Sequence, residues 1–235
     1  AVTGTGGAAA PCGAIATHRG EQQVAVLLYN SVDAINAGGN SPVTLTLRNL
    51  PFRRAMLCTF QIPAPSEAAG MDTDPFAVWD RMGAPDRPTP DQFARMRHHQ
   101  ELMMVDSPRE VEIPNDTLSL NLTMDLPSVV LVLLTVDPGT PPERVVDVRA
   151  ERYEGLDGHA KVLLTWTGTG SRTLRTYEIL AARTIDGPVE RINVVDQLDT
   201  AFLHSLDPAY RVYWVRAIDF WNRGSDLSDP VHITD

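Results

Sequence analysis

"TLSLNLTMDLPSVVLVLLTV", Thr117 to Val136, holds two strand signatures end to end. In the first half Leu118, Leu120, Leu122, Met124 and Leu126 alternate with Ser119, Asn121, Thr123 and Asp125. That is the period of a strand with one face in a core and the other in water. In the second half the alternation vanishes, and Val129 to Val136 is almost unbroken apolar sequence. A strand reads this way when both of its faces are covered. Upstream lie more strands: "QQVAVLLYNS" (Gln22 to Ser31), "PVTLTLRNL" with Val43, Leu45 and Leu47 alternating against Thr44, Thr46 and Arg48, and "AMLCTFQI" (Ala55 to Ile62). "INAGGNSP" between the first two is turn chemistry. Many strands and short turns predict an all-β antiparallel sandwich.

One stretch departs from that pattern. The irregular insert "PAPSEAAGMDTDPFAVWDRMGAPDRP" ends in "PTPDQFARMR", where Thr89, Pro90, Asp91 and Gln92 form a capping signature. A Thr accepts backbone N–H bonds, a Pro occupies the first helical position, an acid sits in the first turn, and a Gln reaches back. Phe93, Met96, Met103 and Met104 are expected to supply the apolar stripe of this helix.

At "DPGTPPE", Asp137 to Glu143, the pattern resets after a Pro-rich joint. Beyond it "VVDVRAERY", "AKVLLTWTG", "RTYEILAAR", "RINVVDQ", "TAFLHSL" and "YRVYWVRAIDF" follow at all-β spacing. Leu164 and Trp166, Tyr177 and Ile179, then Tyr213, Val215 and Ala217, ending in "SDLSDPV", resemble a fibronectin type III module. Tyr210 and Arg211 stand where one residue is usual, which displaces the tyrosine of the corner that such sandwiches carry. The expected organisation is a linker over 1–12, a first sandwich with the inserted loop and helix over 13–138, and a fibronectin type III or immunoglobulin-like sandwich over 139–235.

Composition narrows the function. The 235 residues are 43% apolar, enough for real cores, and 30 acids against 20 bases give a formal charge of −10 with no basic run. Nucleic acid is therefore not an expected partner, because phosphate binding needs a concentrated basic face. No apolar run reaches the ~20 residues of a membrane span, so no membrane partner is expected. The N-terminal "AVTGTGGAAAP" lacks the basic start and apolar heart of a signal peptide and reads as a flexible linker.

Chemistry is sparse. Six histidines, His18, His98, His99, His159, His204 and His232, show no metal-ligand spacing. His98 and His99 with Glu101 read as helix-terminal residues suited to the negative end of the dipole. "TGTGG" (Thr3 to Gly7) and "TGTGS" (Thr167 to Ser171) lack the strand, helix and Lys context of a phosphate loop, and no G-x-S-x-G elbow occurs. No metal, cofactor or catalytic residue is expected. Asp72, Asp74, Asp80 and Asp86 gather in the insert, but glycoside-cleaving carboxylates need a shaped, partly desolvated cleft. Asn115-Asp-Thr and Asn121-Leu-Thr are candidate N-glycosylation acceptors. Cys12 and Cys58 allow either a single disulfide bridge or two separate buried thiols.

"QVAVLLYNS", "WDRMGAPDRPTPDQFARMR", "LPSVVLVLL", "TYEI" and above all "YWVRAIDFWNRGSDLSDPV" resemble the C-terminal, non-barrel portion of the α-L-iduronidases, in glycoside hydrolase family 39, which also contains β-xylosidases. The resemblance runs from about Gly13 to the C-terminus. It implies a sandwich leaning on a (β/α)₈ barrel of the same precursor, with "PTPDQFARMR" as a brace in the contact and the loop Ala64 to Trp79 at the rim of the cleft. A barrel needs about 250 residues of alternating strand and helix, and none of that alternation is present. The family's two catalytic glutamates lie in the barrel, so no residue here matches them. Iduronidases carry a cysteine near the end of "VVLVLLTV" and another before "TYEI"; here those places are Thr135 and Thr173.

The resemblance implies the non-catalytic domains of a retaining glycosidase that degrades glycosaminoglycans, dermatan and heparan sulfate, as a lysosomal glycoprotein, or alternatively a secreted one. The rival reading is an independent protein- or carbohydrate-binding module without hydrolase activity. An exposed aromatic cluster at Phe220-Trp221 would distinguish it.

Overall fold

The computed structural model describes residues 2–4, 12–33, 39–62, 75–98, 102–155, 158–193 and 195–233. They fall into two compact units, Ala1–Pro138 and Gly139–Asp235.

The first unit is a sandwich of two antiparallel sheets. One has three strands in the order β1 (Val2–Gly4), β4 (Asn40–Arg48), β7 (Thr117–Asp125). The other has five: β2 (Cys12–Arg19), β3 (Gln23–Asn30), β8 (Ser128–Thr135), β5 (Arg54–Ile62) and β6 (Met103–Glu112). The alternating stretch became β7, and the unbroken apolar run became β8, the middle strand of the larger sheet. Val26, Leu28, Leu57, Val130, Val132 and Leu134 meet Val43, Leu45, Leu47, Leu118 and Met124 in one core. Each such side chain contributes ~1.5–3 kcal/mol by leaving water. Asn30 is fully buried and ties the sheets together, its amide donating to the carbonyls of Met124 (3.3 Å) and Asp125 (3.0 Å). The Cys12 thiol donates in turn to Asn30 Oδ1 at 3.3 Å.

Four expectations need correction. Val2–Gly4 lies inside the segment expected as linker, yet pairs with Leu45 to Leu47 of β4, because an unpaired strand edge invites any extended chain nearby. Cys12 and Cys58 are two separate thiols. They sit on β2 and β5 with two strands between, about 14 Å at the usual strand spacing, where a disulfide spans at most ~7 Å. Among its described residues the insert holds two helices, α1 (Pro75–Arg81) and α2 (Pro90–His98). Asp74-Pro75 before "FAVWDR" is the start signal that the insert's irregular composition obscured, and Gly83 (φ 86°) ends the turn after α1. Met103 and Met104 open β6 opposite Gln61 and Phe60 and form no helical stripe, while Phe93 is 55% exposed. The cap itself is formed: Thr89 N–H donates to Gln92 Oε1 at 2.9 Å and Gln92 N–H to Thr89 Oγ1 at 3.3 Å. β6 escaped sequence reading because Pro108 and its charged neighbours hide it; Pro is tolerated there because β6 is an edge.

The second unit is the fibronectin type III arrangement, three strands on four. β13 (Ala201–Ser205), β10 (Ala160–Thr167) and β9 (Val146–Glu154) face β12 (Glu190–Arg191), β11 (Leu174–Ala182), β14 (Val212–Asp219) and β15 (Val231–His232). Trp166 and Tyr177 meet edge to face at 5.3 Å among Val162, Leu164, Ile179, Val215 and Ala217. The "TGTGS" turn is held by Thr169 N–H donating to the Tyr177 hydroxyl at 2.9 Å. Among the described residues, "RINVVDQ" gives only Arg191 to the two-residue β12. Asn193, almost wholly buried, replaces the rest: it accepts from Ile179 N–H (2.8 Å) and donates to the carbonyls of Tyr177 (3.0 Å) and Val195 (2.9 Å).

The edge of β14 shows a second substitution of side chain for strand. Ser225 and Ser228 each give their N–H to a β14 carbonyl, of Ala217 (2.9 Å) and Val215 (3.0 Å). Their hydroxyls accept the N–H groups of the same two residues, both at 3.0 Å. Upstream, the fully buried Asp219 accepts the N–H groups of Trp221 and Arg223 (both 2.9 Å) on one oxygen and the Arg223 guanidinium (2.7 and 2.9 Å) on the other. Arg223 also donates to the carbonyl of Gly139 at 2.7 Å, tying the start of the unit to this turn. Ser228→Ala leaves the buried Val215 N–H without its acceptor, so urea unfolding should show a loss of about 1–3 kcal/mol; Asp226→Ala, on an exposed residue of the same loop, should stay within ~0.5 kcal/mol.

Candidate functional site

The five-stranded sheet has two faces, and only one belongs to the sandwich core. Register fixes what lies on the other. Ile15 pairs with Leu27, Leu27 with Leu131, and Leu131 with Phe60. The neighbouring rows run Gly13, Tyr29, Val129, Ile62 and Thr17, Ala25, Leu133, Cys58. Directly opposite side chains on one face touch, so the outer face carries a continuous apolar layer across four strands.

The layer is covered at one end and open at the other. Phe60 and Cys58 are fully buried, whereas Ile15, Leu27 and Tyr29 are 57%, 37% and 41% exposed. Gly13 shapes the open end: a Cβ there would lie 2.1 Å from the Tyr29 ring, so only glycine leaves room for that ring. Open apolar area that continues a buried layer is the character of a docking surface.

Asp80 and Asp86 are exposed, and Asp72 and Asp74 lie outside the described residues, as do His99, Glu101 and 64–74 of the loop expected at the cleft rim. Among the described residues no three His, Cys, Asp or Glu gather to hold a metal ion, and no helix is long and apolar enough to cross a membrane. Asn115 (φ 52°) is exposed in a short 3₁₀ turn, Pro114–Asp116. Asn121 is exposed on β7, accepting the Thr44 hydroxyl at 3.0 Å. Among the described residues the shifted pKa values lie in the second unit: Tyr210 is raised by its hydrogen bond to Glu190, Tyr213 is pushed up to about 12 by burial, and His204 is lowered by burial. No tyrosine corner forms, since Tyr210 donates to Glu190 at 2.8 Å and the buried Tyr213 hydroxyl has no hydrogen-bond partner.

The aromatic pair that would mark a binding module is not an exposed cluster. Trp221 is 4% exposed and Phe220 half-buried. The two positions of the family's cysteines carry locally bonded hydroxyls: Thr135 donates to the carbonyls of Gln22 (3.2 Å) and Asp137 (3.0 Å), and Thr173 Oγ1 lies 3.1 Å from Ser171 Oγ.

Residues 157–235 match the model of the α-L-iduronidase C-terminal domain. The chain is 31% identical over 217 residues to α-L-iduronidase of Mus musculus, covering 89% of this chain and 32% of that protein. Against the Homo sapiens enzyme it is 31% identical over 221 residues, covering 89% and 31%. Among solved structures it is similar to a bacterial orthologue of human α-L-iduronidase, with a TM-score of 0.64 and 30% identity, covering 92% of this chain and 37% of that one. The chain thus spans about a third of the length of these relatives. Fold and matches together define the class: C-terminal β domains of a glycoside hydrolase. Within that class the chain is similar to the C-terminal, non-barrel part of the α-L-iduronidases of family 39.

The open and covered ends of the apolar layer should respond differently to substitution. Phe60→Ala should cost about 3–5 kcal/mol in chemical denaturation. Ile15→Ser with Leu27→Ser should change stability by no more than ~0.5 kcal/mol per site while reducing the binding of a hydrophobic dye.

Proposed function

We propose that this chain supplies the two non-catalytic β domains that buttress the catalytic barrel of an α-L-iduronidase-like retaining glycosidase acting on dermatan and heparan sulfate. The observation that carries the reading is the open end of the outer apolar layer, Ile15, Leu27 and Tyr29, continuous with buried Leu133 and Phe60. A matching apolar surface on the barrel would complete that layer. The capped helix α2, with Phe93 outward, braces the same contact.

The uncovered two thirds of the relatives' length leaves room for a barrel. The mammalian relatives support a lysosomal address, with secretion as the alternative. Asn115 and Asn121 are read as exposed glycan acceptors. The solved bacterial orthologue is described as catalytically competent without N-glycans, so such glycans are not assigned a part in catalysis.

The chain alone, 25.8 kDa, should give no turnover of a fluorogenic α-L-iduronide, and native mass spectrometry should find activity only in an assembly that includes a barrel. Turnover by the 25.8 kDa chain itself would overturn the proposal. In the full-length parent, Ile15→Asp with Leu27→Asp should lower the thermal midpoint and the yield of folded enzyme, with kcat/KM per folded molecule changed by less than about threefold. An unchanged midpoint would remove the sheet face from the contact.

A further inference from the structure

We propose that His204 makes the second unit acid-sensitive: its imidazole has to be neutral to occupy the slot between Phe202 and Tyr213, and protonation loosens the sandwich at β13.

The slot is built by three rings. Phe202 and His204 stack at 5.7 Å, and the Tyr213 ring lies 5.5 Å from His204, tilted by 60°. Phe202 and His204 are two apart on β13 and point into the core from the three-stranded sheet. Tyr213, on β14 of the facing sheet, is wholly buried. His204 Nε2 and the Tyr213 hydroxyl are both buried, and neither has a hydrogen-bond partner. An imidazole nitrogen that accepts and a hydroxyl that donates are complementary, and they stand on adjacent rings. Protonation turns Nε2 into a charged donor, and the carboxylate that acts on it, Asp207, sits in the exposed loop after β13 with no hydrogen bond to Nε2.

The charged groups around the slot do not reverse this. Asp207, in the loop after β13, favours the imidazolium but is exposed, as does a backbone hydrogen bond at Ser205; burial outweighs both and lowers the pKa. Arg191 of β12 lines a surface groove with Asp207, Tyr210 and the outer edge of His204 itself. Arg211, preceding β14, acts on Tyr213 as a positive charge. Glu190 of β12 is engaged by the Tyr210 hydroxyl at 2.8 Å.

The direction follows from linkage. The unfolded chain protonates His204 as pH falls through ~6.5, whereas the folded chain resists. The stability contribution is therefore full above pH ~6.5 and is lost as pH falls toward the lowered folded value.

The test is a histidine-ring NMR titration of the full chain from pH 8 to pH 5, with His204 identified by its contacts to Tyr213 ring protons. It is joined to urea unfolding at pH 7.5 and 5.5 for the wild type, His204→Phe and Tyr213→Phe. The ring should titrate with a midpoint below 6.5. The wild type and Tyr213→Phe should lose more of their urea midpoint between the two pH values than His204→Phe does. A His204 midpoint at or above 6.5, or equal losses in the wild type and His204→Phe, overturns the proposal. Should His204→Phe fail to fold, the ring titration of the wild type decides the matter.

Discussion

Strand β8 carries valine and leucine on both of its faces, and the first unit is arranged to keep them from water. Val130, Val132 and Leu134 point into the sandwich, where the short sheet meets them. Val129, Leu131 and Leu133 point the other way, and leaving them in water would forfeit ~1.5–3 kcal/mol each. A two-layer sandwich cannot satisfy such a strand, so the chain requires a third layer. The burial of Cys58, Phe60 and Leu133 shows that part of this layer exists within the chain. The exposed Ile15, Leu27 and Tyr29 mark where it stops.

The second unit meets a different constraint, the need to satisfy β14 with little regular strand beside it. Ser225 and Ser228 supply acceptors that backbone carbonyls normally provide, and Asn193 does the same along β11. Leaving a buried N–H unpaired costs about 1–3 kcal/mol, so these three polar side chains hold the sandwich as firmly as an apolar contact does. Asp219 and Arg223 extend the scheme by fastening Gly139 to the same turn.

Periodicity made the sandwich architecture legible, because alternation at Leu118 to Met124 and its loss at Val129 to Val136 each have one natural meaning in a sheet. The Thr89 capping box could be read because its bonds are local. What escaped depends on partners distant in sequence. β6 pairs with β5 across the whole insert and tolerates Pro108 as an edge. β12 shrank because a side chain, Asn193, took over its bonds. The separation of Cys12 from Cys58 rests on strand order, which no spacing in the sequence reveals. The outer apolar layer was equally hidden: Ile15, Leu27, Leu131 and Phe60 become one row only when four strands find their register. The Phe220-Trp221 pair shows the converse, since an aromatic dipeptide looks like a platform until the fold buries its tryptophan.

The central claim is that the open end of the outer layer faces the catalytic domain of the parent enzyme. Carbene footprinting of Ile15, Leu27 and Tyr29, in this chain and in the full-length parent, tests it most directly. The account predicts strong labelling of all three side chains in the chain alone and protection in the parent, with Tyr153, an exposed residue of the second unit, labelled equally in both. Equal labelling of Ile15, Leu27 and Tyr29 in the two proteins would contradict it.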